Sequence, residues 1–406
     1  MGYTPKYARA NSRVSPLGAA VTVLVAVAAL ALTAALLWAV AGIPGGAASP
    51  AQPAAPAVME KFESHVDSAL ADTMTIFTPP VREETPEATL PVETEPVVRP
   101  VYTLNDSDLV APEPDQSKFG QTEDPTTMGD FLKQVQKVHG WQPMYFNMDV
   151  QIFSGSKVMY YLDDTIAAIT WKEVHDGSVY TFSEVKIAHP SQFRRFLSGG
   201  SYGSGIQLST THMAQIVNAV VASSGDFYAF RPLGVTVYEG VVRRGNDDSV
   251  DTCYIDDKGN MLFSFRGQFA SNDQIQQFVD ANNIRFSMSF GPVLIQDGVA
   301  RDLPANYAIG EGTKKYSRAV LCQLDDLHYL VITVNREGVY RNVPNLKMLQ
   351  DELMKFGVRH AYTLDGGQTA ALVMNDKLIN RVDWDEQRLI SDIFYFATAL
   401  PEHLNQ

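Results

Sequence analysis

From residue 129 onwards, short apolar runs alternate with turn residues, a pattern that is typical of β-hairpins. The paired runs are 234–238 with 241–242, 252–255 with 261–263, 292–295 before Asp297-Gly298, and 371–374 with 378–379. The run 329–334 is almost wholly apolar instead of alternating. Such a run predicts a buried strand in the centre of a sheet.

Other stretches have helical spacing and carry helix start or stop signals. They are 131–138 ended by Gly140, SQFRRFL opened by Pro190, HMAQIVNAVV capped by Ser209 or Thr210, IQQFVDA after Ser271 and Gln274, and NLKMLQDELMKF between Pro344 and Gly357. Taken together, the pattern predicts an α+β domain over residues 129–406. We expect a mixed, largely antiparallel sheet with flanking helices.

An uncharged apolar run occupies residues 17–41. A bilayer core about 30 Å thick is crossed by about 20 apolar helical residues, so this run is long enough to span it. Lys6, Arg9 and Arg13 precede the run, and the next Lys or Arg is Lys61. Because positive charge stays on the cytoplasmic side, we predict a single-pass transmembrane signal-anchor helix.

This topology leaves residues 1–16 in the cytoplasm and places the C-terminal domain outside it, at the cell membrane. The alternative is a signal peptide that is cut in the small-residue stretch 45–49. Residues 42–128 are rich in Pro and Glu. Such a segment buries too little apolar area to offset its chain entropy, so we expect a disordered stalk.

Composition narrows the classes of function. The formal net charge is −14, which argues against a nucleic-acid partner because phosphate binding requires a basic face. Cys253 and Cys322 are the only cysteines, too few for a disulfide scaffold or a Cys-based zinc site. A disulfide between them and two buried free thiols are both open alternatives.

Asp and Arg residues recur at predicted strand ends. The clusters are 224–231, 288–292, 316–319, 334–337, 362–369, and Arg388 with Ser391-Asp392. In the fifth cluster, Asp365 precedes Gly366-Gly367, a tight turn whose N–H groups can converge on an anion. The alternative interpretation of that cluster is a plain turn with a capping Asp.

The order of these clusters resembles the phosphodiester glycosidase family, from about residue 180 to 396. The family shows Asn-Gly-Asp-Tyr/Phe, Ser-Phe-Gly-Pro, Asn-Pro-Arg-Thr, Asp-Gly-Arg, Leu-Asp-Gly-Gly-Gly-Ser and a closing Ser-Asp. The departures are Ser224 for Asn, Tyr316-Ser317 for Asn-Pro, Val334-Asn335 for Asp-Gly, Gln368 for the third Gly and Thr369 for the first Ser. The family's Asp and Arg positions survive as Asp226, Arg318, Arg336, Asp365 and Asp392. The residues around them differ, which leaves room for altered substrate choice or lost activity.

The resemblance implies hydrolysis of a sugar-1-phosphodiester at the glycosidic C1–O bond. Under it, Asp226, Asp365 and Asp392 are the candidate catalytic residues, with Asp392 orienting the other two. The candidates for binding the substrate phosphate are Arg318, Arg336, Gly366, Gly367 and Thr369. We expect no cofactor and leave a divalent cation near Asp365 open.

The predicted function is therefore an extracytoplasmic hydrolase acting on a sugar phosphate or a surface glycan, such as an envelope polysaccharide or glycolipid. Two alternatives stay open. One is a catalytically weak domain that binds a glycan or sugar phosphate, and the other is a scaffold for envelope proteins. Turnover of a sugar-1-phosphodiester separates the first function from both alternatives.

Overall fold

The computed structural model describes residues 110–144, 156–310 and 312–400. These residues form an α+β fold, as the sequence predicts. The helices are α1 (Pro125–His139), α2 (Thr210–Ile216), α3 (Asn272–Ala281) and α4 (Leu346–Lys355). Short 3₁₀ turns occupy Gln116–Lys118, Pro190–Gln192, Gly367–Thr369 and Asp383–Asp385.

The strands of the described residues form three sheets, and the pairings are antiparallel. In chain order they are β1 (Phe119–Thr122), β2 (Val158–Leu162), β3 (Ile166–His175), β4 (Ser178–Ile187), β5 (Phe193–Leu197), β6 (Val221–Ser224), β7 (Gly234–Tyr238), β8 (Val241–Asn246), β9 (Thr252–Asp256), β10 (Met261–Ser264), β11 (Ile284–Ser289), β12 (Val293–Gln296), β13 (Val299–Ala300), β14 (Arg318–Asp325), β15 (His328–Asn335), β16 (His360–Leu364), β17 (Leu372–Met374), β18 (Lys377–Leu378) and β19 (Asp392–Phe396). The large sheet has the order β1-β2-β3-β4-β15-β14-β16-β12-β13. The second sheet is β10-β9-β11-β7-β8, and the third is β18-β17-β6-β19-β5.

The central strands of the large sheet are buried on both faces. On β15, Val331 lies in the core shared with the second and third sheets, whereas Leu330 and Ile332 lie in the core beneath α1 and α4. This position explains why 329–334 is continuously apolar: neither set of alternating side chains faces water. The prediction of a buried central strand is confirmed, since β15 lies between β4 and β14.

The four predicted hairpins are present, and most helix signals act where the sequence places them. Ser209 accepts a hydrogen bond from the N–H of His212, and Ser271 accepts one from Gln274. Gly140 ends α1 in the left-handed conformation (φ 62°). Helix α4 is capped by Asn345, one residue after the predicted Pro344.

The helix predicted after Pro190 is wrong. Only a 3₁₀ turn follows this proline, and the chain then enters strand β5, which pairs with β19. The segment joins the third sheet because its two arginines, Arg194 and Arg195, are buried and hydrogen-bonded in this extended form. Tertiary contacts therefore override the local helical spacing.

The fold also extends further towards the N-terminus than the predicted boundary at residue 129. Strand β1 pairs with β2 as an edge strand, and Phe119 packs on Tyr161 with 4.4 Å between ring centroids. These residues lie within the segment 42–128 that the sequence assigns to the linker. The segment's polar composition conceals this one short strand.

The predicted anchor 17–41 and most of the predicted stalk lie outside the described residues. Over 110–144, 156–310 and 312–400, no helix is both long enough and apolar enough to cross a membrane.

The two cysteines are free and buried, so the disulfide alternative is wrong. Cys253 on β9 belongs to the core between the sheets. Cys322 on β14 faces the other core, beneath α1 and α4. The large sheet therefore separates the two thiols.

Candidate active site

Antiparallel pairing in the large sheet brings together the predicted site residues Arg318, Arg336 and Asp365. In the register of β14 and β16, Ala319 is opposite Leu364, so Arg318 lies level with Asp365 just beyond β16. Arg318 is itself opposite Val334 on β15, two residues before Arg336. The end of β16, the start of β14 and the end of β15 therefore lie side by side at one end of the large sheet, which we call the site edge.

Asp365 is the most buried carboxylate of this edge, with 6% of its surface exposed. Its Oδ1 accepts a hydrogen bond of 2.9 Å from the N–H of Gly366. Its Oδ2 is buried and has no hydrogen-bond partner among the described residues. A buried carboxylate oxygen without a partner is costly and is typical of a functional site.

Burial raises the pKa of Asp365, while the positive charges of Arg231 and Arg388 oppose the rise. The net direction is upwards. A carboxylate with a raised pKa is a stronger base than an exposed one, which suits general acid–base work.

Arg318, which lies level with Asp365 in the register of β14 and β16, stacks against Tyr316, with 5.1 Å from the guanidinium carbon to the ring centroid. One NH₂ group donates to the carbonyl of Lys314 at 3.3 Å, and its buried Nε has no acceptor in the described part of the chain. Burial lowers the pKa of Arg318 to about 10, and the negative charge of Asp365 works against this fall. The guanidinium keeps unused donors beside the Asp365 carboxylate.

Two further arginines, Arg231 and Arg388, complete what we call the arginine site (Arg231, Arg318, Arg388 and Asp365). Both act electrostatically on Asp365. Arg231 lies 5.5 Å from the ring centroid of Phe290, and its Nε is buried without an acceptor among the described residues. The sequence places both arginines in candidate clusters but assigns them no role. The only signal in the sequence for their role is proximity to a candidate aspartate. Arg231 follows Asp226, and Arg388 precedes Asp392.

Arg336 lies at the border of the arginine site. It pairs with Asp383 at 3.5 Å, and the other oxygen of Asp383 accepts a bond of 2.8 Å from the Ser317 hydroxyl. Asp383 also faces the glycine turn, because a Cβ on Gly367 would come within 3.7 Å of its Oδ2. Arg336 is thus already paired with a carboxylate, unlike Arg318.

The glycine turn after Asp365 is tightly packed against β14. A Cβ on Gly366 would come 2.1 Å from the carbonyl oxygen of Ser317, so only glycine fits. The N–H of Gly367 donates to that carbonyl at 3.3 Å, and the N–H of Gly366 donates to Asp365. Thr369 is buried and donates its hydroxyl to the carbonyl of Gly366 at 2.6 Å. Gly366 and Thr369 therefore bond within the turn and Gly367 bonds to Ser317, so their binding of phosphate stays a prediction.

Asp226 and Asp392 lie in a second cluster with Arg195, which we call the buried triad (Arg195, Asp226 and Asp392). Arg195 reaches Asp226 at 2.7 Å and Asp392 at 2.9 Å, and all three side chains are fully buried. Within the described residues, no hydrogen bond or ion pair joins Asp226 to Asp365. The sequence gives no sign of Arg195, because it lies in the segment predicted as a helix.

Every carboxylate oxygen of the buried triad is in use. The second oxygen of Asp226 accepts from the N–H of Ser289 at 2.7 Å. Asp392 accepts from the N–H groups of Asp226 and Phe227 at 3.2 and 2.8 Å. The triad therefore fastens the start of β19 to the loop after β6.

Two carboxylates share one guanidinium in this cluster. Burial and the charge of Asp392 raise the pKa of Asp226, although the positive charge of Arg195 opposes this rise. Burial alone would lower the pKa of Arg195, but the two carboxylates outweigh it and raise that pKa.

A metal centre has no obvious set of ligands here. No group of three or more His, Cys, Asp or Glu side chains that could hold a metal ion occurs within residues 110–144, 156–310 and 312–400.

Guanidinium donors without acceptors among the described residues therefore lie around one buried carboxylate. The phosphodiester glycosidase family matches residues 217–397, which confirms the resemblance expected from the sequence. The match contains both the arginine site and the two aspartates of the buried triad. No curated protein matches the chain.

Solved structures include two similar ones. A hypothetical protein from Synechocystis is 14% identical with a TM-score of 0.45, over 60% of this chain and 64% of that one. The chain thus spans less than two thirds of that protein. The zebrafish N-acetylglucosamine-1-phosphodiester alpha-N-acetylglucosaminidase catalytic domain, auto-inhibited by its pro-peptide, is 16% identical with a TM-score of 0.47, over 65% of this chain and 93% of that one.

Proposed function

We propose that this protein is an extracytoplasmic phosphodiester glycosidase, which hydrolyses a sugar-1-phosphodiester of a cell-envelope polysaccharide or glycolipid. The supporting observation is the arginine site. There, Asp365 keeps one buried oxygen unpartnered beside Arg231, Arg318 and Arg388. None of these three arginines forms an ion pair with a carboxylate of the described residues.

The arginines supply the binding half of this reaction. A guanidinium presents two parallel N–H donors that match two phosphate oxygens. Three of them around one carboxylate leave excess positive charge for a phosphodiester. Burial strengthens this attraction, because the low local dielectric screens it less than water does.

Asp365 supplies the chemical half. In the proposed step, its free Oδ2 takes a proton from a water molecule as the water oxygen bonds to the sugar C1. The bond between C1 and the oxygen that bridges to phosphorus breaks, and its electron pair stays on that oxygen. The products are a free sugar and a phosphate monoester, whose negative charge the arginines stabilise.

We assign positioning roles to Asp226 and Asp392 rather than acid–base roles. Their oxygens are occupied by Arg195 and by backbone N–H groups. Arg231 follows Asp226 closely along the chain, and Arg388 precedes Asp392. The buried triad therefore holds the two loops that carry these arginines.

The test is turnover by the full chain of the methyl diester of N-acetylglucosamine-1-phosphate, followed as reducing sugar. Asp365→Asn keeps the size of the side chain and removes the base, so we expect kcat to fall about 10²–10⁴-fold. Asp326→Asn is the matched control, because Asp326 is 82% exposed beyond the far end of β14. Full turnover by Asp365→Asn would disprove the assignment.

A catalytically weak binding domain is the second candidate. It is favoured by Gln368 in place of the family's third glycine and by the internal bonding of the Gly366 and Gly367 N–H groups. Wild-type protein that binds glucose-1-phosphate but releases no sugar from the diester would select this function.

The extracytoplasmic location rests on the apolar run 17–41 and its basic N-terminal flank. Anchoring would keep the domain near surface substrates and raise their effective concentration. The check is fractionation of cells: we expect the full chain in the membrane fraction and its domain accessible to protease from outside. A chain recovered in the soluble cytoplasmic fraction would refute the location.

A further inference from the structure

One exposed aromatic side chain borders the arginine site without a role in the chemistry above. Trp384 is 77% exposed, although tryptophan is a residue that folding normally covers in large part. It lies at the centre of the Asp383–Asp385 turn. This turn packs against the Gly367–Thr369 turn that follows Asp365.

The backbone holds Trp384 in this outward position. Its φ of 60° and ψ of 13° are in the left-handed region, which a bulky residue rarely adopts. Ion pairs fix both neighbours in the chain: Asp383 pairs with Arg336, and Asp385 pairs with Arg381. The fold therefore tolerates local strain to present an indole to solvent beside the site.

The rest of the rim has the same character. Phe230, next to Arg231, is 48% exposed, and Leu389, next to Arg388, is 54% exposed. Apolar side chains thus adjoin two of the three arginines, since the Phe230 ring centroid lies 5.9 Å from the guanidinium carbon of Arg231 and Leu389 follows Arg388 in the chain. A ligand that fits has an anionic group joined to a moiety with an apolar face, and a sugar-1-phosphate has both, because the C–H bonds of a pyranose ring form such a face.

We propose that Trp384 is a substrate-binding platform on which the sugar ring stacks while its phosphate is held by the arginines. This proposal rests on the proposed function for the identity of the ligand. Under this proposal, Trp384 determines specificity, because it contacts the sugar and not the phosphate.

The experiment measures binding to the full chain by calorimetry with two probes, glucose-1-phosphate and inorganic phosphate. Wild-type protein is expected to bind glucose-1-phosphate more tightly. Trp384→Ala should weaken glucose-1-phosphate binding about 3- to 10-fold and leave phosphate binding unchanged. Trp384→Phe, which keeps an aromatic face, should restore most of the difference.

Val299→Ala is the matched control, because Val299 is 65% exposed on β13, the edge strand that β12 separates from β16. It should bind both probes as wild type does. The proposal is overturned if wild type binds the two probes equally or if Trp384→Ala binds glucose-1-phosphate normally. It is also overturned if Trp384→Ala weakens both probes alike, which would mean that the indole only supports the turn.

A failure of the proposed function gives a different result. Arg318→Gln should lose phosphate affinity if the arginines hold the phosphate. Arg318→Gln could instead bind phosphate normally while Trp384→Ala still has a lower affinity for glucose-1-phosphate. That result would disprove phosphate binding by the arginines and would support stacking of the sugar on Trp384.

Discussion

At the scale of single residues, the decisive feature is the environment of Asp365. Asp365 and Asp226 are both buried aspartates that the sequence treats as equivalent. Asp226 has partners for both oxygens, whereas Asp365 has a partner for only one. Their chemistry differs because of these neighbours, which lie far away along the chain.

The arginines around Asp365 should set the acid limb of the pH–rate profile. If Asp365 must be ionised to act as the base, kcat/KM falls as the pH drops through its pKa, which burial raises above the usual value of about 3.9. Arg231 opposes that rise, so Arg231→Gln should move the acid limb to higher pH. Arg359→Gln, which changes a half-exposed arginine at the far end of β16, should leave it in place. An unchanged limb in Arg231→Gln would exclude Asp365 as the titrating group.

At the scale of secondary-structure elements, the fold depends on places where two elements approach each other so closely that only glycine fits between them. Gly225, between β6 and Asp226, is such a place. A Cβ there would come 1.9 Å from Oδ2 and 2.5 Å from Cγ of Asp392, which begins β19. Asp392 is held by Arg195 and two backbone N–H groups, so it has little freedom to move away.

Gly225→Ala should therefore destabilise the protein by about 1–3 kcal/mol and reduce turnover, because it separates the loops that carry Arg231 and Arg388. The measurement is urea unfolding together with the diester assay. Gly129→Ala is the control, since Gly129 lies inside α1 with no atom near the added Cβ. We expect that variant to gain about 0.5–1 kcal/mol from its helix propensity. Equal stability of the two variants would contradict the close approach of β6 and β19.

A second link between elements is titratable. His175 at the end of β3 contacts Glu173 at 2.7 Å and Glu352 of α4 at 2.8 Å. Burial alone would lower the pKa of His175, but hydrogen bonds to the two glutamates outweigh it and raise the pKa to about 9. The pKa in the unfolded chain is about 6.5.

Because the folded-state pKa is the higher one, the stabilisation by His175 is complete below about pH 6.5 and is lost as the pH rises through about 9. His175→Gln should therefore cost more unfolding free energy at pH 6 than at pH 10, measured by urea unfolding. His212→Gln, which alters an exposed histidine on α2, serves as the control. An equal cost of His175→Gln at both pH values would contradict the ion pairs to α4.

At the scale of the whole molecule, the large sheet separates the two largest cores of the described residues, each with one cysteine. Burial raises the pKa of both thiols, so neither forms the reactive thiolate readily. We expect a thiol reagent at pH 8 to leave both unmodified in the native protein and to modify both in urea. Mass spectrometry after alkylation gives the count. Rapid labelling of one thiol without urea would show that its core opens separately.

Much of the fold could be predicted from the sequence, because local patterns of apolar, turn and capping residues determine its hairpins and most of its helices. The hairpins follow from apolar runs split by turn residues, and α2 and α3 begin at capping residues that the sequence displays. The helix prediction for segment 193–197 failed because this segment forms a strand by pairing with β19, which lies about two hundred residues away along the chain. Strand β1 was missed because a short polar edge strand has no apolar pattern.

The sequence by itself determined the hairpins, the central strand, the order of charged clusters and the family resemblance, since each depends on neighbouring residues or on their order. Only the tertiary structure decided which charges meet. It joined Asp226 and Asp392 through Arg195 and left Asp365 among three arginines, because strand pairing brings together residues that are distant in the chain. Burial then determined their chemistry, since it fixes which carboxylate oxygens find partners and how far each pKa shifts.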